Sequence, residues 1–261
     1  MSEALRAIAQ FAADHAYAPY SRAPAAVALL LSDGTVVTGA RMENASYPLT
    51  IPALQAAWAR ARAAGRQDFV AAAASRPFEP AELAFLRETS RRDWTATGFG
   101  LATVQGLAAP EPSALLSPFM DRTRPASDAA GLALALEAAS RAAAVVSRFP
   151  VGCVLELADG RLVAGANVEH PSDWTRGLCA ERVALSAALV GHAEALRRIY
   201  LACPHAPGAT PCGGCRQVLA ERAPGVPVVL WQGEGHAPVQ TTPEALLPGA
   251  FAGADLRRAP A

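Results

Sequence analysis

The sequence predicts an α/β fold in which one unit, a mixed sheet with helices packed on it, is written twice. The repeat itself is the first observation: Ser21-Arg22-Ala23-Pro24 returns as Ser147-Arg148-Phe149-Pro150, 126 positions later. At the same spacing Asp33-Gly34 falls on Asp159-Gly160, Gly39-Ala40 on Gly165-Ala166, and Glu43 on Glu169. After one extra residue in the second copy, Ile51-Pro52-Ala53-Leu54 falls on Leu178-Cys179-Ala180-Glu181. Near the ends, Leu115-Leu116 with Phe119 echoes Leu246-Leu247 with Phe251. A constant offset through several non-alanine matches separates this from chance in an alanine-rich chain. The second observation is that the hydrophobic pattern changes period in the same order in both copies. The third is length: 261 residues suit two units of ordinary domain size. The expected domains are 1–121 and 128–261, with a linker from Asp121 to Ser127 where Arg122, Arg124 and Pro125 interrupt the apolar period.

Each copy opens on an amphipathic helix, over 2–16 and 128–146. Ala25 to Leu31 and Val151 to Leu157 read as strands, each turned back at Asp-Gly into a second strand. Helices follow at 53–64 and 180–191, then strands near 68–73 and 199–203, then helices near 81–90 and 213–222. Val226 to Trp231 is the last strand of the second copy.

Composition narrows the chemistry. There are 23 basic and 23 acidic side chains, and every cation is an arginine. Without lysine, neither a Schiff base nor a P-loop is possible. Zero net charge and the lack of an arginine–aromatic run argue against a polynucleotide surface. Met1 to Ala16 carries Glu3, Arg6, Asp14 and His15 and has none of the parts of a signal peptide, and the apolar runs are too short to span a bilayer. Five cysteines, all in the second half, do not make a paired disulfide framework. The expectation is a soluble cytoplasmic protein without a membrane partner, its thiols free or on a metal.

Cys179-Ala180-Glu181-Arg182 opens one helix and Pro211-Cys212-Gly213-Gly214-Cys215 opens another. Thiols at helix N-termini ionise readily, and three of them suit zinc. Three protein ligands leave a place for water, whose pKa zinc lowers toward about 7. Glu181, two residues past Cys179, is placed to shuttle protons, and Arg182 and Arg216 offset the thiolate charge. The chemistry would be hydrolytic attack on an electrophilic carbon. Cys212-x-x-Cys215 alone also suits a redox dithiol or half of a structural zinc site, with Cys203 the one candidate fourth ligand. Cys203 and Cys153 read more simply as buried free cysteines.

These residues resemble the cytidine deaminase family of zinc nucleoside deaminases. The second copy carries the likeness nearly throughout: Phe149-Pro150-Val151-Gly152, Asn167-Val168-Glu169, Cys179-Ala180-Glu181-Arg182, Pro211-Cys212-Gly213-Gly214-Cys215-Arg216-Gln217, and Leu246-Leu247-Pro248 with Phe251. The resemblance implies duplicated cytidine deaminase-like three-layer α-β-α units. It implies one zinc ion per chain on Cys179, Cys212 and Cys215, with Glu181 as general acid and base. Asn167 and Glu169 would bind the sugar hydroxyls, Phe149 would pack on the base, and Ala180 would line the substrate site. The expected reaction is hydrolytic deamination of cytidine and deoxycytidine to uridine and deoxyuridine, as in pyrimidine salvage.

The first copy resembles the family without its chemistry. Pro52, Ala81 and Ala84 stand at the ligand positions, Leu54 replaces the glutamate, Ala23 the phenylalanine and Arg41 the asparagine. Glu43-Asn44-Ala45-Ser46-Tyr47 still reads like the family's substrate loop, so Asn44, Ala45 and Tyr47 form a possible partner-subunit loop, or one kept for packing. In the second copy that loop departs from the pattern, as His170-Pro171-Ser172-Asp173-Trp174. The departure leaves open a modified cytidine, a nucleoside antibiotic or a related aminopyrimidine nucleoside as substrate. A zinc-stabilised binding module is the non-enzyme alternative. The expected assembly is a homodimer with a small nucleoside as its partner molecule.

Overall fold

The computed structural model describes residues 1–193 and 195–256. The chain divides into two compact units. One comprises Met1–Met42 and Ile51–Ser117, and the other Glu43–Thr50 and the chain from Pro118 onward. The division therefore falls at Ser117, ahead of the expected linker. The Glu43–Thr50 segment of the first copy folds with the second unit.

The first unit runs α1 (Ser2–Ala13), β1 (Ala26–Leu31), β2 (Thr35–Ala40), α2 (Ala53–Ala63), β3 (Phe69–Ala74), α3 (Pro80–Ser90), β4 (Trp94–Gly98), β5 (Leu101–Val104) and β6 (Ala114–Leu115). Its sheet order is β4-β5-β3-β1-β2-β6. β2 and β6 are parallel and the other neighbours antiparallel. Every residue of β1 is buried, as in a strand covered on both faces. Leu5 and Ala9 of α1 pack on Ala28, Leu30 and Val70. Each leucine buried in this way contributes about 1.5–3 kcal/mol of transfer free energy.

The second unit runs α4 (Asp128–Ala139), β7 (Gly152–Leu157), β8 (Leu162–Ala166), α5 (Ala180–Val190), β9 (Leu196–Ala202), α6 (Gly213–Arg222), β10 (Val228–Leu230) and β11 (Val239–Thr241). Its sheet order is β11-β10-β9-β7-β8. β9 and β10 are parallel because α6 carries the chain back between them. The repeats diverge at this point: β3 is flanked instead by β5, antiparallel, which forms a hairpin with β4. The sequence reading missed β4, β5, β6 and β11.

The opening helices stop earlier than their periodicity suggests, at Ala13 and Ala139. The residues beyond them serve the sheet ends instead. The Tyr17 N–H donates to the Arg41 carbonyl at 2.9 Å. In the second copy the Ala143 N–H donates to the Asn167 carbonyl (2.9 Å), and the Glu169 N–H donates to the Ala143 carbonyl (3.0 Å).

One small residue sets how closely α5 lies on its sheet. A Cβ built on Gly165 in β8 would fall 2.2 Å from the Ala180 carbonyl oxygen and 2.5 Å from the Ala184 nitrogen. A Cβ built on Gly39 in β2 would likewise fall 2.2 Å from the Ala57 nitrogen of α2, so the repeat preserves a packing contact rather than only a motif. Gly165→Ala must push α5 off the sheet. We expect it to destabilise the second unit by about 1–3 kcal/mol, with a lowered midpoint in a urea melt, and to reduce zinc content in the folded fraction.

Candidate metal centre

The site is built on two helix starts. Cys179 is the N-cap of α5, and Cys212 is the N-cap of α6 with Cys215 three residues on. Both caps are extended, so the side chains turn back across the helix ends, where unpaired N–H groups favour negative charge. The three sulfurs lie within 4.8 Å of one another, and Cys179 Sγ is 3.7 Å from Cys212 Sγ. A tetrahedral zinc with bonds of about 2.3 Å needs sulfurs about 3.8 Å apart. The donor set fits zinc in both chemistry and spacing. Cys203 and Cys153 are buried free thiols outside this cluster, so the described residues supply three ligands and not four.

The thiols are poised for a cation. Cys212 accepts hydrogen bonds from the Cys179 and Cys215 thiols and from backbone N–H groups, which holds it well below the ordinary thiol range. Glu181 lies in the first turn of α5 and is 3% exposed. Burial pushes its carboxyl up to about 7; the Cys212 charge adds to the rise, while the Cys215 thiol hydrogen bond and the Arg182 charge oppose it. Ala180 beside it is fully buried.

The flanking arginines are anchored by carbonyls. Arg182 Nη2 donates to the Leu49 carbonyl at 3.2 Å, and its buried Nε has no hydrogen-bond partner among the described residues. Arg216 donates to the Pro211 carbonyl (2.8 Å), the Leu246 carbonyl (3.2 Å) and the Thr210 hydroxyl (2.7 Å). Gln217, to which sequence reasoning assigned no role, is buried and exchanges hydrogen bonds with the Phe251 backbone at 2.6 and 3.2 Å. The residues after Cys215 therefore tie α6 to the C-terminal tail, a contact distant in sequence and without a local signal.

Asn167, Glu169 and Cys179 share a cavity of about 450 Å³, which Ser147, His170 and Trp174 also line. That volume is within the range of small-molecule sites. Asn167 Nδ2 donates to the Phe149 carbonyl (2.9 Å) and its Oδ1 accepts from the Val151 N–H (2.8 Å). Glu169 accepts from the Val146 and Ser147 N–H groups at 2.7 and 2.8 Å and from the Ser147 hydroxyl. Burial raises the Glu169 carboxyl, but these donors outweigh it and hold the group below the usual carboxylate range. Phe149 is exposed, His170 is buried, and Trp174 projects into solvent.

The first-copy loop, expected either as a partner-subunit loop or as one kept for packing, belongs to the same unit as the thiols. Besides the Leu49–Arg182 bond, the Ala45 N–H donates to Glu221 of α6 at 2.7 Å. A Cβ on Gly214, between two of the thiols, would lie 3.1 Å from Leu49 Cδ2. Asn44 is buried, and its Nδ2 has no hydrogen-bond partner among the described residues, while Tyr47 is 84% exposed.

The first unit holds no such cluster among the described residues. Pro52 is the N-cap of α2 and Leu54 is buried. At α3, helix register corrects the expected counterparts. Glu79 is the N-cap and Glu82 lies three residues on, so these stand where Cys212 and Cys215 stand, not Ala81 and Ala84. The strand-to-helix connection is shorter in the first copy, which displaced the alignment by spacing. The two carboxylates form a capping box and share Arg76, which meets Glu82 through two 2.9 Å hydrogen bonds and Glu79 at 3.4 Å.

Comparison with known proteins accords with this arrangement. Residues 2–75 and 125–230 each match a model described as "Cytidine and deoxycytidylate deaminase zinc-binding region". A cytidine deaminase of Sporosarcina psychrophila is 38% identical over 111 residues, 42% of this chain and 80% of that protein. One from Halalkalibacterium halodurans is 37% identical over 123 residues, 47% of this chain and 92% of its own. Among solved structures, cytidine deaminase from Burkholderia pseudomallei covers 48% of this chain and 99% of its own, with 36% identity and a TM-score of 0.45. Cys212→Ser replaces the ligand whose thiol accepts hydrogen bonds from the other two. It should leave the purified protein with well under half the wild-type zinc by metal analysis, because a serine hydroxyl does not ionise near neutral pH.

Proposed function

The chain belongs to the cytidine deaminase family, and from that premise we propose that its second copy hydrolytically deaminates free cytidine and deoxycytidine to uridine and deoxyuridine. The observation that carries this is the buried Glu181 carboxyl hydrogen-bonded into a cluster of three thiols spaced for zinc. A purely structural zinc site has no use for that carboxylate. Zinc, when bound by Cys179, Cys212 and Cys215, supplies the Lewis acidity that makes water nucleophilic at neutral pH. Glu181 would take one water proton to ring nitrogen N3 as the water oxygen bonds to C4, and then carry the proton of the C4 hydroxyl to the amino group as the C4–N bond breaks and ammonia leaves. A carboxyl whose pKa lies near 7 can do both in one cycle.

On the substrate side, Phe149 packs on the base, Ala180 lines its edge, and Asn167 with Glu169 meets the sugar hydroxyls. Glu169 already accepts three hydrogen bonds and stays ionised, so it presents only acceptors. It favours a hydroxyl and repels a phosphate, which suits a nucleoside rather than a nucleotide. The neutral chain adds no basic surface for nucleic acid. A related aminopyrimidine nucleoside is the second reading, favoured by the His170–Trp174 loop that lines the cavity.

We read Asn44 and its loop as part of this site, acting within one chain. The packing of Leu49 over Gly214 and its bond to Arg182 support that assignment. Arg182 and Arg216 balance the thiolate charge. The exposed Val145, Val146 and Trp174 support assembly as a homodimer. No helix among the described residues is long and apolar enough to cross a membrane. Pyrimidine salvage in the cytoplasm is the setting we infer.

Two variants test the scheme, followed by ammonia release and by the absorbance loss on conversion of cytidine to uridine. Glu181→Gln should keep its zinc while kcat falls about 10²–10⁴-fold, the usual worth of a general acid–base group. Undiminished turnover would reject the mechanism. Asn44→Ala should raise KM for cytidine with kcat and zinc content held, and unchanged kinetics in the folded variant would confine the loop to packing.

A further inference from the structure

The turn that leads into β7 contains a hydroxyl with two fixed partners. The Phe149 N–H donates to Ser147 Oγ at 3.0 Å, and Ser147 Oγ donates to Glu169 Oε1. A serine has one proton to give. With the Phe149 N–H directed at its lone pair, that proton goes to the carboxylate. The result is a one-way chain from the Phe149 backbone through Ser147 to Glu169, and the backbone N–H groups of Val146 and Ser147 hold the other carboxylate oxygen. Ser147, Asn167 and Glu169 all line the 450 Å³ cavity that reaches Cys179.

The backbone here is constrained rather than relaxed. Arg148 has φ 54°, in the left-handed region that L side chains rarely adopt. The first copy makes the same turn, with Arg22 also at φ 54° and the Ala23 N–H donating to Ser21 Oγ at 3.1 Å. There the residue that follows is Ala23, not an aromatic, and Glu43 stands at the position of Glu169. In the second copy the turn carries Phe149 and a carboxylate that faces the cavity.

We propose that Ser147 is a positioning residue for sugar recognition. Its hydroxyl holds Glu169 in the orientation that lines the cavity and ties that orientation to the backbone of Phe149. Base and sugar are thereby read by one connected unit, and the preference for a nucleoside with its 3′-hydroxyl depends on Ser147. This rests on the nucleoside deaminase reading above.

The test compares cytidine with 3′-deoxycytidine in the zinc-loaded full chain. Wild type should prefer cytidine. Ser147→Ala should raise KM for cytidine about tenfold, the worth of one hydrogen bond to a charged group. Its kcat, its zinc content and its KM for 3′-deoxycytidine should stay near wild type, so the preference shrinks by the same factor. Ser147→Thr, which keeps the hydroxyl, should retain the preference. Ser147→Cys, similar in shape but a weak donor, should lose it even if the alanine variant does not fold. Equal losses on both nucleosides, or an undiminished preference in the alanine and cysteine variants, would overturn the assignment while leaving the deaminase reading intact. Wild-type protein that turns over neither nucleoside would overturn both.

Discussion

The second unit depends on how close α5 can come to β8. At Gly165 the helix backbone occupies the space a side chain would need, and that approach sets the height of the α5 N-terminus above the sheet. Cys179, as N-cap, inherits its position from this contact, and Glu181 inherits its burial. Burial lifts the Glu181 carboxyl toward neutrality, and its range of useful proton chemistry follows from that. A glycine in the adjoining strand thus bears on both the position of Cys179 and the acidity of the carboxyl two residues on.

Charge has to be managed around such a cluster, and the molecule uses backbone more than ion pairs. Arg182 and Arg216 stand next to the ligands, yet their fixed partners are carbonyls and a hydroxyl rather than carboxylates. The Arg182 charge acts on the Glu181 carboxyl, where it opposes the rise that burial causes. The carbonyl that orients Arg182 comes from Leu49, in a segment that belongs to the first copy by sequence and to the second unit by packing. A copy without chemistry of its own thus supplies part of the frame of the copy that retains it.

The first copy also separates scaffold from recognition. Arg41 replaces Asn167, yet its guanidinium still donates to the carbonyl of Ala23 at 2.8 Å, as Asn167 does to that of Phe149 at 2.9 Å. Where two cysteines cap α6, Glu79 and Glu82 cap α3, with a guanidinium rather than a metal between them. Contacts that shape the turn and the helix start survive in a different chemistry. Groups able to hold a metal or face a ring do not. This distinction explains why the repeat was visible at Ser21, Gly39 and Glu43 while the ligands themselves had no counterpart.

Much of this was written locally. The Asp-Gly turns, the apolar runs of β1 and β7 and the helix starts at Cys179 and Cys212 follow from short-range chemistry, and so does the choice of a thiol-loving metal. Residue pattern alone specifies the duplicated α/β architecture and which copy carries ligands. It overran α1 and α4, because their last turns are drawn off by hydrogen bonds to the far ends of β2 and β8 that no helical period encodes. It also misaligned α3, since register there depends on where the cap falls and not on residue count. Three features emerge only in the folded chain: Glu43–Thr50 joins the second unit, Gln217 holds the tail, and Ser147 links Glu169 to Phe149. Each of these is a hydrogen bond or packing contact set by strands and helices meeting in space, which no local pattern in the chain can specify.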